Sequence, residues 1–247
     1  MIEQTVDIPT RHGACATFIV HPERDGPHPI VLFFMDAPAI REELRDMARR
    51  IAAVGYYVML PNLYYRRGVM ELKDLPALPE EQARARMFEL MNSLSIPLVM
   101  DDGDALLNFA DRDPAAGTGA IATLGYCMSG RYAINFAARW PERVGAAASI
   151  YGTQLVTDEA DSPHLVAARA RTTELYFACA ETDRWAPLET VEALDQAIKA
   201  HDIRAEVELY PGVEHGFAFP QRAAYDKFAA ERHWERLFAL FRRNLRA

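Results

Sequence analysis

The chain has 247 residues, half of them apolar and a quarter charged, with a formal net charge of −8 at neutral pH. That composition belongs to a folded globular protein, and the acidic balance excludes the basic face that nucleic acid or an anionic membrane would require. No stretch approaches the ~18 consecutive apolar residues of a membrane-spanning helix, and the opening MIEQTVDIPTRHG lacks the apolar core of a secretory signal, so a cytoplasmic location is expected.

Residues 4–9 and 14–21 alternate apolar and polar positions on either side of Arg11-His12-Gly13 and predict an antiparallel hairpin. Residues 29–35 form an unbroken apolar run of strand length, suited to burial on both faces. Ile40, Leu44, Met47 and Ile51 recur at helical spacing and predict a helix over 40–53. A strand at 55–61 ends at Pro61, 62–80 carries no periodicity, and 80–111 reads as helical with a break near Pro97. A further buried strand at 119–126 leads into a helix over 129–139. Strands near 145–150, 174–180 and 205–210 follow, with helices near 187–200 and 223–244. No repeat or linker interrupts the pattern, so a single domain over 1–247 is expected. Strand–helix alternation with buried strands predicts an α/β fold whose mostly parallel sheet is covered by helices on both faces.

In such a sheet, ligands gather where strands end at their carboxyl termini. Gly125-Tyr126-Cys127-Met128-Ser129-Gly130 lies where a buried strand turns sharply into a helix, the arrangement of a nucleophile elbow. A nucleophile at the tip of a strained turn needs small residues on both sides, and the helix that follows favours a thiolate or oxyanion near its N-terminus. The three cysteines are odd in number and far apart, which fits neither a disulfide framework nor a metal knot. Cys15 and Cys179 fall inside predicted strands and read as packing residues, which leaves Cys127 as the reactive candidate.

A base and an acid should come later in the chain, the acid first. His215 stands in the glycine-flanked segment 210–217 just after the last strand, whereas His201 and His233 sit in or beside helices among charges and read as solvated surface. Asp183 follows the preceding strand and precedes a helix beginning near Pro187; helix capping by Asp183, or a role for Glu181 instead, are the rival readings. Asp101-Asp102-Gly103-Asp104 lacks the remaining ligands of a calcium loop and reads as helix-start charge. Gly117-Thr118-Gly119 precedes its strand, which disqualifies it as a dinucleotide loop. No metal and no organic cofactor is expected. Of the aromatic residues near the strand ends, Trp185 and Tyr64 are candidates for a substrate wall, while Tyr65, Tyr126 and Phe217 read as core.

Over nearly its full length the chain resembles the dienelactone hydrolases, also called carboxymethylenebutenolidases. The resemblance rests on the Gly125-Tyr126-Cys127 elbow, on Glu181-Thr182-Asp183, on Glu214-His215-Gly216-Phe217 and on the Pro61–Arg66 segment. It implies an α/β-hydrolase fold without a large lid domain, and a Cys127–His215–Asp183 triad acting on an ester or lactone, carboxylate-bearing ones included. It implies that Asp36 stands where the family's thiol-holding glutamate does, one methylene shorter, and that Arg66 matches the first of two arginines that grip a substrate carboxylate. The second would fall at Phe219, and Arg222 is the nearest replacement. The backbone N–H groups of Met128 and Ala37 are the expected oxyanion donors. Outside the enzymes, the competing readings are a ligand-binding member of the fold that has lost catalysis, and a thiol redox sensor built on Cys127. Oligomeric state is not legible in the sequence.

Overall fold

The alternating N-terminal segment closes as an antiparallel hairpin, β1 (Ile2–Thr10) against β2 (Gly13–His21), with Thr10 opposite Gly13. Gly13 adopts φ +133° at the turn, a conformation open to glycine because it lacks a Cβ. The structure, a computed structural model, describes residues 1–73 and 75–245. It comprises two units, Met1–Thr118 and Gly119–Arg246.

In the first unit the hairpin continues into a small sheet. β3 (Ile30–Phe34) runs parallel to β4 (Tyr57–Pro61), and β2 runs antiparallel to β4. Every residue of β3 and β4 is buried, as an uninterrupted apolar run requires. Between them, α1 (Glu42–Ala52) buries Leu44, Met47 and Ile51 along one stripe. The helical stretch after residue 80 divides into α2 (Glu80–Asn92) and α3 (Ile96–Ala110). The break falls just before Pro97. Ser95 caps α3 by accepting from the Leu98 N–H at 3.3 Å, and Pro97 occupies the first turn, where its missing N–H costs nothing. The acidic run at 101–104 therefore lies inside α3 and not at its start, which corrects the sequence reading. Val99, Asp102, Gly103 and Leu106 share the buried stripe of that helix, so Asp102 faces inward.

The second unit is a four-stranded parallel sheet in the order β5 (Ile121–Tyr126), β6 (Val144–Ile150), β7 (Glu174–Thr182), β8 (Ala205–Glu214). Its helices are α4 (Gly130–Arg139), the single-turn α5 (Pro163–Val166), α6 (Leu188–Ala200) and α7 (Lys227–Asn244). α7 begins at Lys227 rather than 223, because Asp226 caps it by accepting from the Ala229 N–H at 2.8 Å.

β7 and β8 both outrun their apolar cores. Pro211 and Gly212 read as loop, yet pairing resumes past an irregularity between Ala180 and Thr182, and Thr182 pairs with Glu214. That register sets Asp183 and His215 side by side, each one residue beyond a paired position. Among the described residues, no helix is long and apolar enough to cross a membrane.

Candidate active site

Cys127 follows β5 directly and enters α4 through one tight turn of 3-10 helix over Cys127–Ser129. Its φ is +55°, in the left-handed region, where a non-glycine residue is strained by about 1 kcal/mol or more. Two glycines make the turn sterically possible. A Cβ on Gly125 would stand 2.0 Å from the Ser129 carbonyl oxygen, and one on Gly130 would stand 2.2 Å from Ser149 Oγ and 2.7 Å from the Gly152 Cα. The crowding thus falls on Gly125 and Gly130, while Ser129 is fully buried and contributes the carbonyl that Gly125 must clear. From the far side, the Thr153 N–H donates to the Cys127 carbonyl at 3.1 Å.

Cys127 is partly exposed, whereas Cys15 and Cys179 are buried. Burial pushes both of those thiols up to about 12, so they stay protonated and pack as expected. Among the described residues, no group of three or more His, Cys, Asp and Glu side chains is arranged to hold a metal ion.

Asp183 is nearly buried, and both of its oxygens are committed. Oδ1 accepts from the backbone N–H groups of Trp185 at 2.8 Å and Ala186 at 3.3 Å, and Oδ2 meets His215 Nδ1 at 2.7 Å. The carboxylate caps a turn ahead of α6, not the helix itself, since Pro187 holds the cap position. Glu181, the rival acid, turns away and accepts from the Gly212 N–H at 2.7 Å. With Nδ1 taken by Asp183, Nε2 is the nitrogen left for the Cys127 side chain, which helps to raise the His215 pKa. Burial by itself lowers the imidazole pKa, but the hydrogen bonds and charges of Asp183 and Cys127 outweigh it and raise the group from 6.5 to about 9. An imidazole fixed by a carboxylate on one nitrogen and facing a thiol with the other can take the thiol proton and hold the resulting ion pair.

An aromatic cluster backs this arrangement. The Tyr151 ring meets the His215 imidazole edge-on, 4.9 Å between centroids, and also contacts Phe217 at 5.3 Å and Tyr126 at 5.7 Å. Phe219 is fully buried against Tyr126, with the Arg222 guanidinium 5.1 Å above its ring. The aliphatic part of Arg222 lies over Gly216, which has φ +96° and leaves only 3.0 Å for a Cβ. Trp185 remains 42 % exposed beneath the Arg184 guanidinium, on the outer surface beside Asp183. His233, expected at the surface, is fully buried, and its Nε2 lies 3.0 Å from the Tyr126 hydroxyl. The helical period holds the missed signal: Ala230, His233, Trp234, Leu237, Leu240 and Phe241 form one buried stripe of α7.

Within the first unit, Asp36 is fully buried and gripped by Arg41, at 2.6 Å to Oδ1 and 3.2 Å to Oδ2, while Arg41 also holds Glu43 at 2.7 Å. Arg66 donates through Nη2 to Asp102 Oδ1 at 2.8 Å and to the Leu98 carbonyl at 3.1 Å. Its Nε and Nη1 are buried and have no hydrogen-bond partner among the described residues, so only Nη2 is anchored. Tyr65 shares the Asp102 anchor at 2.8 Å and lies under the guanidinium. Tyr64 has no exposed surface, and its hydroxyl donates to the Ala37 carbonyl at 3.0 Å. That places Tyr64 behind the backbone of Ala37, which corrects its expected position on a substrate wall.

The model of the dienelactone hydrolase family matches residues 15–245. A Methylorubrum extorquens protein described as "Putative carboxymethylenebutenolidase" is 29% identical over 248 residues, covering 98% of this chain and 81% of that protein. A Bradyrhizobium protein described as "Probable 2-oxo-3-(5-oxofuran-2-ylidene)propanoate lactonase" is 23% identical, covering 97% of this chain and 94% of that one. A crystal structure of a "Putative Dienelactone Hydrolase" from Klebsiella pneumoniae superposes with a TM-score of 0.84 at 26% identity, over 98% of both chains. A family match across almost the whole length, on an α/β fold with a strained turn after β5, identifies the chain as a member of the dienelactone hydrolase family, with its α/β-hydrolase fold.

Proposed function

We propose that this protein hydrolyses a carboxylic ester or lactone through a thioester acyl-enzyme, with Cys127 as nucleophile, His215 as base and Asp183 as the residue that orients His215. The observation that carries the reading is the hydrogen bond from His215 to Asp183 at 2.7 Å, beside a Cys127 that raises the His215 pKa and whose sulfur is borne on a strained turn at the head of a helix. His215 takes the thiol proton, and the thiolate attacks the substrate carbonyl carbon. The Met128 N–H, joined on the family resemblance by that of Ala37, receives the developing oxyanion. Collapse of the adduct breaks the C–O bond, and the imidazolium returns its proton to the departing alkoxide. His215 then takes a proton from water as that water attacks the thioester, and the thiolate leaves. A thiolate departs from such an adduct far more readily than an amide anion, so activated esters and enol lactones are favoured over peptides.

Two cations support a carboxylate-bearing substrate. In the first unit the Arg66 Nε and Nη1 are buried donors without a hydrogen-bond partner among the described residues, and in the second unit Arg222 stands over Phe219, where the family resemblance would put a second arginine. Trp185, exposed beside Asp183, is a surface a substrate can meet on entry. On the family resemblance Asp36 matches the thiol-holding carboxylate, and within its own unit Arg41 grips it. No cofactor enters this chemistry, and a single domain in the cytoplasm would suffice for it.

The test is turnover of a p-nitrophenyl ester and of an enol lactone by the wild-type protein, Cys127→Ala and His215→Ala. Hydrolysis lost in both variants is the expected result. No turnover in any form would point to a ligand-binding protein, and alkylation of Cys127 without turnover to a redox sensor. Either outcome would end the proposal.

A further inference from the structure

The left-handed conformation of Cys127 is not one a cysteine adopts unaided, so its surroundings must hold it. Part of that hold comes through the residue before it. Tyr126 is fully buried, and its hydroxyl meets Nε2 of His233, 107 residues further along the chain. His233 is itself fully buried in α7, with Nδ1 against the Ala230 carbonyl. Since the Ala230 carbonyl can only accept, Nδ1–H donates to it, and a neutral ring then presents a lone pair at Nε2 to which the Tyr126 hydroxyl donates. The Tyr126 ring then packs on Phe219 at 5.3 Å and on Tyr151 at 5.7 Å, and Tyr151 meets the His215 imidazole at 4.9 Å. One hydrogen bond connects α7 to the residue that leads into the elbow, and the Tyr126–Tyr151 ring contact extends the link to the ring that supports the imidazole.

We propose that His233 is a positioning residue for the Cys127–His215 pair. By accepting the Tyr126 hydroxyl it fixes the ring that sets how the chain enters the elbow and keeps Tyr151 seated against His215. The proposal rests on the acyl-transfer reading above, and His233 acts in it only through Tyr126. A residue that served merely to pin α7 to the sheet would affect melting and leave the chemistry of Cys127 untouched.

Four variants test this. Tyr126→Phe deletes the donor and keeps the ring, His233→Phe deletes the acceptor, His233→Gln retains an acceptor, and the double Tyr126→Phe/His233→Phe removes both. Each is assayed for kcat and KM on a p-nitrophenyl ester, and for the pH profile of Cys127 alkylation by iodoacetamide. Either deletion is expected to lower kcat about tenfold, less than the ~100-fold that a 1 Å misplacement can cost, with KM within about twofold. The alkylation profile should shift in the same variants, His233→Gln should regain most of the loss, and the double variant should be no worse than either single one.

Wild-type kcat and an unshifted alkylation profile in Tyr126→Phe would overturn the proposal, as would losses that multiply in the double variant. A lowered melting temperature with kcat intact would assign His233 to the anchoring of α7 alone and also overturn it. Should His233→Phe fail to fold, Tyr126→Phe, which lacks a single oxygen atom, decides the matter. The alkylation profile does not depend on turnover. A shifted profile in a protein that hydrolyses no ester would sink the hydrolytic reading and leave the positioning role standing.

Discussion

Gly125→Ala probes the elbow most directly. The new Cβ would stand 2.0 Å from the Ser129 carbonyl oxygen, 2.4 Å from its carbon and 2.9 Å from the Gly130 nitrogen, where ordinary contact begins at 3.4 Å. All three atoms are backbone, so no side chain can rotate to relieve the overlap. The 3-10 turn over Cys127–Ser129, which carries the Met128 N–H and the strained Cys127, has to move by about 1 Å with the start of α4. Misplacement on that scale costs on the order of 100-fold in rate, or about 2.7 kcal/mol of barrier. The same overpacking should lower stability by about 1–3 kcal/mol. The assay is kcat/KM on a p-nitrophenyl ester, read beside a urea melt so that unfolded protein is not counted as inactive enzyme. Gly55→Ala serves as the comparison. Gly55 has φ +106° but nothing within 4 Å, so alanine there introduces strain without a clash, and activity should persist. Gly125→Ala that is folded and within about threefold of wild-type kcat/KM would refute the idea that close packing at this glycine positions the sulfur.

The raised His215 pKa has two consequences. The kcat/KM profile should show a basic limb near 9, where the imidazolium that protonates the leaving alkoxide is lost. Because the same group titrates near 6.5 when unfolded, its contribution to stability is complete below 6.5 and drains away as pH rises to about 9. Urea melts across that window should show the decline in the wild type and its loss in His215→Ala, and a flat wild-type profile would count against the pairing. Asp102→Ala should cost about 3–5 kcal/mol in a urea melt, because it leaves the Arg66 guanidinium buried without its counter-ion. A cost under about 1 kcal/mol would show that Arg66 is held by something other than Asp102.

The strands were legible because burial on both faces leaves a plain mark: residues 30–34, 57–61 and 121–126 are buried at every position. Cys127, Asp183 and His215, the residues proposed for the site, were candidates in the sequence because each follows a strand at its carboxyl end. Side-chain direction was harder to read. Asp102 read as helix-start charge and His233 as surface, yet both lie on the buried stripes of long helices, and period outweighs composition there. The final residues of β7 and β8 were missed because Pro211 and Gly212 signal a loop, whereas an irregularity in the ladder accommodates them. The burial of Tyr64 and the grip of Arg41 on Asp36 could not be read at all, since each depends on a contact that no local pattern encodes.

Strand spacing explains why these particular segments can carry the proposed site. Neighbouring strands lie about 4.8 Å apart, so the end of β5, which bears Cys127, and the end of β8, which bears His215, are roughly 14 Å apart across two intervening strands. An imidazole at a strand end cannot bridge that gap unless its backbone folds back across the sheet. The extension of β8 to Glu214 delays the turn until the chain has passed the sheet's edge, and Gly216 at φ +96° then reverses it, with the Phe217 N–H bonded to the Glu214 carbonyl at 3.1 Å. Folding back carries the imidazole past Asp183 at the end of β7, which takes Nδ1, and onto Tyr151 at the end of β6, which supports the ring edge-on. Only Nε2 is then left to face β5. In the proposed site, the order of cysteine, aspartate and histidine along the chain is thus the order in which the strands are laid down, and each intervening strand end supplies one of the contacts that hold the imidazole.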